Sequence, residues 1–137
     1  MMRILTSGLA LALFTVTATA QESKQDQKPA FLKHGDVISG EVRVVNKTHP
    51  NGTPILAYQI VSDAPKVFAH KDTFCKAAAP KTFHLVETDN KAKTIRLKRS
   101  VGKKVEIVAD EFMCSHTAWH IGDAVATKWR FTGPAPR

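Results

Sequence analysis

Residues 37–45 read VISGEVRVV. β-Branched residues dominate the run. Ile38, Val42 and Val44 share one face when alternate side chains point to opposite sides. Together with Asp36 this predicts a half-buried strand. A concentrated turn signal follows, His49-Pro50-Asn51-Gly52-Thr53-Pro54. Asn-Gly favours positive φ, and the prolines cannot donate to a ladder. Ile55 to Val61 then reads as a second strand.

The same reading extends along the chain. Pro65 breaks the second strand, and Lys66 to His70 resumes a short extended piece. Cys75 to Pro80 is ambiguous: three alanines favour a helical turn, but Pro80 limits it. Thr82 to Glu87 predicts a strand and Asp89-Asn90-Lys91 a turn. Thr94-Ile95-Arg96-Leu97-Lys98 alternates strictly and reads as another strand. Val101 to Lys104 opens the next, with Val105, Ile107 and Ala109 facing one way. Asp123 to Phe131 closes the set, with Val125, Thr127, Trp129 and Phe131 on one side. Short strands separated by regular turn signals predict an all-β barrel or sandwich of five or six strands, with at most one short helix. A barrel would also remove exposed sheet edges.

The first twenty residues, MMRILTSGLALALFTVTATA, stand apart. Arg3 precedes an apolar stretch from Leu9 to Val16, and Ala18-Thr19-Ala20 offers small residues before a cut. That is the pattern of a cleaved secretory signal peptide. The apolar stretch is shorter than the ~20 residues a membrane span needs. No other segment could span, so no transmembrane segment is expected after processing. The expected organisation is signal peptide 1–20, flexible arm 21–34, barrel 35–132 and tail 133–137. The 137 residues, 43% hydrophobic and 23% charged, exclude a large multidomain enzyme and a disordered polyelectrolyte. With 20 Lys plus Arg against 12 Asp plus Glu, the formal charge is +8.

The run from Val101 to His120, VGKKVEIVADEFMCSHTAWH, resembles the C-terminal signature of a bacterial domain-of-unknown-function family of small exported proteins. That signature has a Gly-Lys-x-Val strand opening and a His-Thr-x-x-His element. Gly40-Glu41-Val42, the loop from Pro50 to Pro54 and Cys75 agree with it upstream. Two places depart. Ala109 stands where the family tends to have glycine, and Trp119-His120 where it often has adjacent histidines. The Gly-Lys-x-Val opening also looks like the fourth strand of an OB-type barrel. The resemblance therefore implies an OB-like fold, and OB-type barrels commonly bind oligonucleotides or oligosaccharides. Fold alone does not fix function.

Candidate functional residues fall into four groups. Cys75 and Cys114, an even count in an exported chain, are expected to form a structural disulfide; free thiols and metal ligands are the alternatives. Closing that loop would stabilise the fold by roughly 4 kcal/mol in the chain-entropy model. His116 and His120 could share a zinc or copper ion if the segment is helical, with His70 or His84 as a third ligand. Otherwise they fix the loop's shape by hydrogen bonds, or act as general acid or base. Lys91, Lys93, Arg96, Lys98, Arg99, Lys103 and Lys104 form an acid-free run, either two solvated strand faces or a strip for an anionic partner. No aromatic interleaves that run as a stacking platform, so nucleic acid is not the expected partner. Phe68, Phe74, Phe83, Phe112, Trp129 and Phe131 are read as core. Trp119, between two histidines, could instead anchor a ligand.

No catalytic constellation emerges. Ser115-His116 are neighbours without a G-x-S-x-G elbow, and there is no phosphate loop, dinucleotide fingerprint or H-E-x-x-H. The expectation is a non-enzymatic periplasmic or secreted binding module without a cofactor. Its binding loop would be Ser115, His116, Thr117, Trp119 and His120. The partner would be an envelope glycan or a protein, the latter in an inhibitor or immunity-type role. A metal-binding protein using His116 and His120 is the alternative, and a weak hydrolase centred on His116 a third reading.

Overall fold

The computed structural model describes residues 30–69 and 75–134. The expected signal peptide, residues 21–29 of the expected arm, His70, Phe74 and residues 135–137 lie outside them. The elements are β1 (Ala30–Leu32), β2 (Asp36–Thr48), β3 (Pro54–Ser62), β4 (Lys66–Phe68), β5 (Thr82–Leu85), α1 (Lys91–Arg99), β6 (Lys104–Cys114) and β7 (Ala124–Phe131).

Five strands close into a barrel in the order β2-β3-β5-β7-β6. All neighbours are antiparallel except β5 and β7, which run parallel. With α1 between its third and fourth strands, this is the small OB-like all-β fold expected. β2 closes the ring because Gly40 pairs with Ser62 on one side and Val105 on the other. A Cβ at Gly40 would overlap the Val61 carbonyl, so only glycine permits this approach. Ile38, Val42, Ile60, Phe83, Leu85, Leu97, Ile107 and Trp129 meet in one buried cluster.

Four expectations need correction. The segment Thr94–Lys98 is helical. Asn90 caps α1 by accepting the Lys93 N–H at 3.0 Å, and Arg96, Lys98 and Arg99 in its last turn complement the helix dipole. The pattern concealed this because the inward face is Lys93, Arg96 and Leu97, of which only Leu97 is apolar and buried. Lys93 Nζ lies 3.8 Å from the Trp129 ring centroid, and Arg96 Cζ 4.0 Å from that of Phe131. The basic run is therefore not a hairpin.

Second, Val44 does not join Ile38 and Val42 inside. β2 pairs with β6 only up to Glu41, so the hairpin outruns the barrel and Val44 is 41% exposed. Third, the inward side of β7 is Ala124, Ala126 and then Trp129, rather than Val125 and Thr127. Register irregularities between Ala109 and Phe112 of β6 shift the alternation of the pair. Fourth, the arm ends in structure: β1 pairs with β4, and Leu32 is only 2% exposed. Its apolar side chain joins the core cluster and its backbone finds partners, so residues 30–32 belong to the folded part.

Cys75 and Cys114 form the expected disulfide. Among the described residues no helix is long and apolar enough to cross a membrane.

Candidate functional site

Two loops meet beside the barrel. The β2–β3 turn is closed by the His49 N–H on the Thr53 carbonyl and the Gly52 N–H on the His49 carbonyl, both at 2.8 Å. The β6–β7 loop begins at Ser115, whose N–H donates to the Asp123 carbonyl at 3.0 Å. Between them, the His49 imidazole stacks on the Trp119 indole, with ring centroids 4.0 Å apart and planes 19° from parallel. Such a pair contributes about 0.5–1.5 kcal/mol beyond its burial. Trp119 is left 47% exposed.

The inner side of the β6–β7 loop rests on the outer face of the barrel. Gln59 of β3, His84 of β5 and Val125 of β7 are cross-strand neighbours there. Gln59 is 7% exposed and donates its amide to the Ile121 carbonyl. The Ile121 N–H in turn donates to His84 Nδ1 at 3.3 Å. The Asp123 N–H donates to Thr82 Oγ1 at 2.9 Å. The Lys81 and Thr82 N–H groups return to the Asp123 carboxylate at 3.0 and 3.1 Å. Burial alone would raise the Asp123 pKa, but these hydrogen bonds to its charged form pull it below the usual aspartate value. Gly122, at φ +127°, allows the chain to pass between Gln59 and Thr82.

Three imidazoles cluster under this loop. His116 and His120 meet edge to face with centroids 5.1 Å apart, and His120 and His84 at 6.5 Å. His116 Nδ1 donates to the Cys114 carbonyl at 3.0 Å. Burial, then the neighbouring His120, pushes the His84 pKa below the ordinary histidine value. Burial, then His116, does the same to His120. Accepting the Ile121 N–H also requires an unprotonated Nδ1 on His84.

The sequence candidates thus separate. His116 and His120 converge with His84, but among the described residues no group of three His, Cys, Asp or Glu is placed to hold a metal ion. Ser115 Oγ and His120 Nδ1 are buried without a hydrogen-bond partner, so the serine is not paired with an imidazole base. A cleft of about 560 Å³ opens here, lined among others by Lys76, Ser115, His116, Thr117, His120 and Asp123. The disulfide brings Lys76 to its rim by tying residue 75 to the loop's origin.

The basic run lies elsewhere. Lys93 and Arg96 pack on Trp129 and Phe131, towards the end of β7 remote from the loop. Lys93 Nζ also donates to the Trp129 carbonyl, and Arg96 Nη2 to that of Pro134 at 2.8 Å. Lys104 pairs with Asp63 at 2.8 Å. Lys91, Lys98, Arg99 and Lys103 are exposed. Of the residues that build the loop's seat, sequence reading passed over His49, Gln59, Thr82 and Gly122. The one available signal was Gln59, a lone amide in an otherwise apolar strand.

Comparison with protein-family models, curated proteins and solved structures gives no match, so the functional reading rests on this site.

Proposed function

We propose that this chain is a non-enzymatic exported binding module that holds an envelope glycan where the β2–β3 turn meets the β6–β7 loop. The observation that carries the reading is the indole of Trp119. It is braced by His49, stays half exposed, and lies between Ala118 and His120, which both line the polar cleft. A flat apolar face beside hydrogen-bonding groups suits a sugar ring, whose faces are apolar and whose edge is hydroxylated. Lys76, Thr117, His120 and Asp123 line the cleft and supply its polar groups. The leader 1–20 and the Cys75–Cys114 disulfide support export to an oxidising compartment.

A protein partner is the second reading. Val44 and Leu56 lie on one face of the protruding hairpin, since Val44 pairs with Tyr58 and Asn46 with Leu56. Both are exposed. The test is co-sedimentation with insoluble envelope polysaccharide and titration with soluble oligosaccharides. Trp119→Ala should weaken binding at least tenfold while lowering the melting temperature only by the few degrees that loss of the His49 stack costs, and Leu56→Ser should leave glycan binding intact. No sedimentation of the wild type, or equal binding by Trp119→Ala, refutes the glycan reading.

A further inference from the structure

The seat of the β6–β7 loop is built from groups that change with proton concentration. Ile121 is the loop's anchor, buried at 4% exposure. Its carbonyl is held by Gln59 and its N–H by His84 Nδ1. The second bond exists only while that nitrogen carries a lone pair. A proton there turns an acceptor into a donor facing a donor. Behind His84 stand His120 and then His116, edge to face, so each added charge meets another imidazole.

We propose that the β6–β7 loop is a latch released by acidification, with His84 and His120 as its proton sensor, uncovering the outer face of β3 and β5 at Gln59 and His84. The functional consequence rests on the binding reading above. The latch itself is a property of the chain.

The surrounding charges do not cancel the effect. Just before β7, Asp123 is the one carboxylate among the described residues that line the cleft, and its oxygen is turned to the Lys81 and Thr82 N–H groups. Lys76, from the segment tied by the disulfide, adds positive charge to the same cleft. On β2, Arg43 continues the cross-strand row beyond Gln59 and is paired with Glu41 at 3.0 Å. From the β2–β3 turn, His49 faces Trp119, and its Nδ1 accepts the Asn51 N–H at 3.2 Å. The sign follows. His84 and His120 bind protons less readily with the loop closed than when opening gives them to water. Closure is therefore fully favoured above the ordinary histidine pKa of 6.5 and is lost as pH falls through the lower closed-state values. Between the two values, each histidine raises the open population by up to about tenfold per pH unit.

The test is amide hydrogen exchange of the oxidised protein from pH 8 to 4.5, read as protection factors, with the imidazole nitrogens followed by NMR. Protection at Ile121 should fall as His84 titrates, while Ile60 and Ile107 in the barrel keep theirs. The His84→Asn variant, which offers an uncharged acceptor near the same place, should lose protection at Ile121 between pH 8 and 5 less steeply than the wild type, the remaining fall being that of His120. Constant wild-type protection at Ile121 to pH 5 overturns the proposal. So does its loss in step with Ile60 and Ile107, or an Ile121 profile in His84→Asn that falls as steeply as the wild type. If that variant is unprotected at every pH, the wild-type profile and the His84 titration decide. No ligand is used, so failure of glycan binding and failure of the latch are separate results.

Discussion

Replacing Gly122 by alanine tests whether the β6–β7 loop is seated as described. Gly122 sits at φ +127°, a conformation that L side chains rarely adopt. A Cβ there would stand 2.9 Å from Gln59 Nε2, 3.1 Å from the Thr82 carbonyl oxygen and 3.2 Å from Thr82 Oγ1. The backbone part of the penalty is about 1–3 kcal/mol. Relief of the contact must move the Gln59 amide, because the Thr82 backbone is fixed in β5. That breaks the buried bond to Ile121, at a further cost of about 1–3 kcal/mol. Gly35 separates the two parts. It also has positive φ, at +89°, yet a Cβ there meets nothing within 4 Å. Gly35→Ala should therefore cost only the backbone part, and Gly122→Ala at least about 1 kcal/mol more. For a domain near this size, each kcal/mol lowers Tm by roughly 4–8 °C. Urea and thermal melts of both variants, side by side, measure the difference. Equal destabilisation would show that Gln59 and Thr82 do not confine the loop.

Two further predictions concern charge. The Asp123 carboxylate has a depressed pKa, so the stability it contributes is complete above the usual aspartate range and is lost as pH falls through its lower folded value. Stability between pH 5 and 2 should fall less steeply in Asp123→Asn than in the wild type; parallel curves would show that this carboxylate is not held by the Lys81 and Thr82 amides. Among the basic residues, Lys93→Ala and Arg96→Ala should each cost about 1–2 kcal/mol through lost cation–π and packing contacts. Lys98→Ala and Arg99→Ala should change denaturant midpoints by less than about 0.5 kcal/mol, and a reversed order would overturn the placement of α1.

The barrel was legible where local pattern and tertiary role agree. β2, β3 and the turn between them follow from β-branched alternation and Asn-Gly, and β6 from the alternation of Val105, Ile107 and Ala109. The helix was not legible. Its buried face is made from the stems of Lys93 and Arg96 laid over aromatic rings, which a hydrophobic pattern cannot register. The inward side of β7 was misread for a different reason. Consecutive Glu111 and Phe112 face Lys128 and Ala126, so Thr127 drops out of the pairing, and the hydropathy pattern of residues 124–131 does not mark that break.

The site was hidden by distance along the chain. Its bonds join Gln59 to Ile121, His84 to Ile121 and Thr82 to Asp123 across 62, 37 and 41 residues. No spacing rule reaches that far; only closure of the barrel brings the partners together. The kind of bond matters as much as the length. Five polar contacts, each worth about 0.5–1.5 kcal/mol net, and one aromatic stack of similar size hold the loop down. Their sum is about 3–9 kcal/mol. The barrel keeps its own cluster of Ile38, Ile60, Phe83, Leu85 and Ile107 whether or not the loop is seated. Opening the loop therefore leaves the barrel's core intact, and beside the apolar Ile121 and Val125 it exposes an amide and an imidazole that a hydroxylated ligand can satisfy in its place. A loop sealed by apolar packing alone would lack that exchangeability, because lifting it would expose no groups for a glycan's hydroxyls to bond.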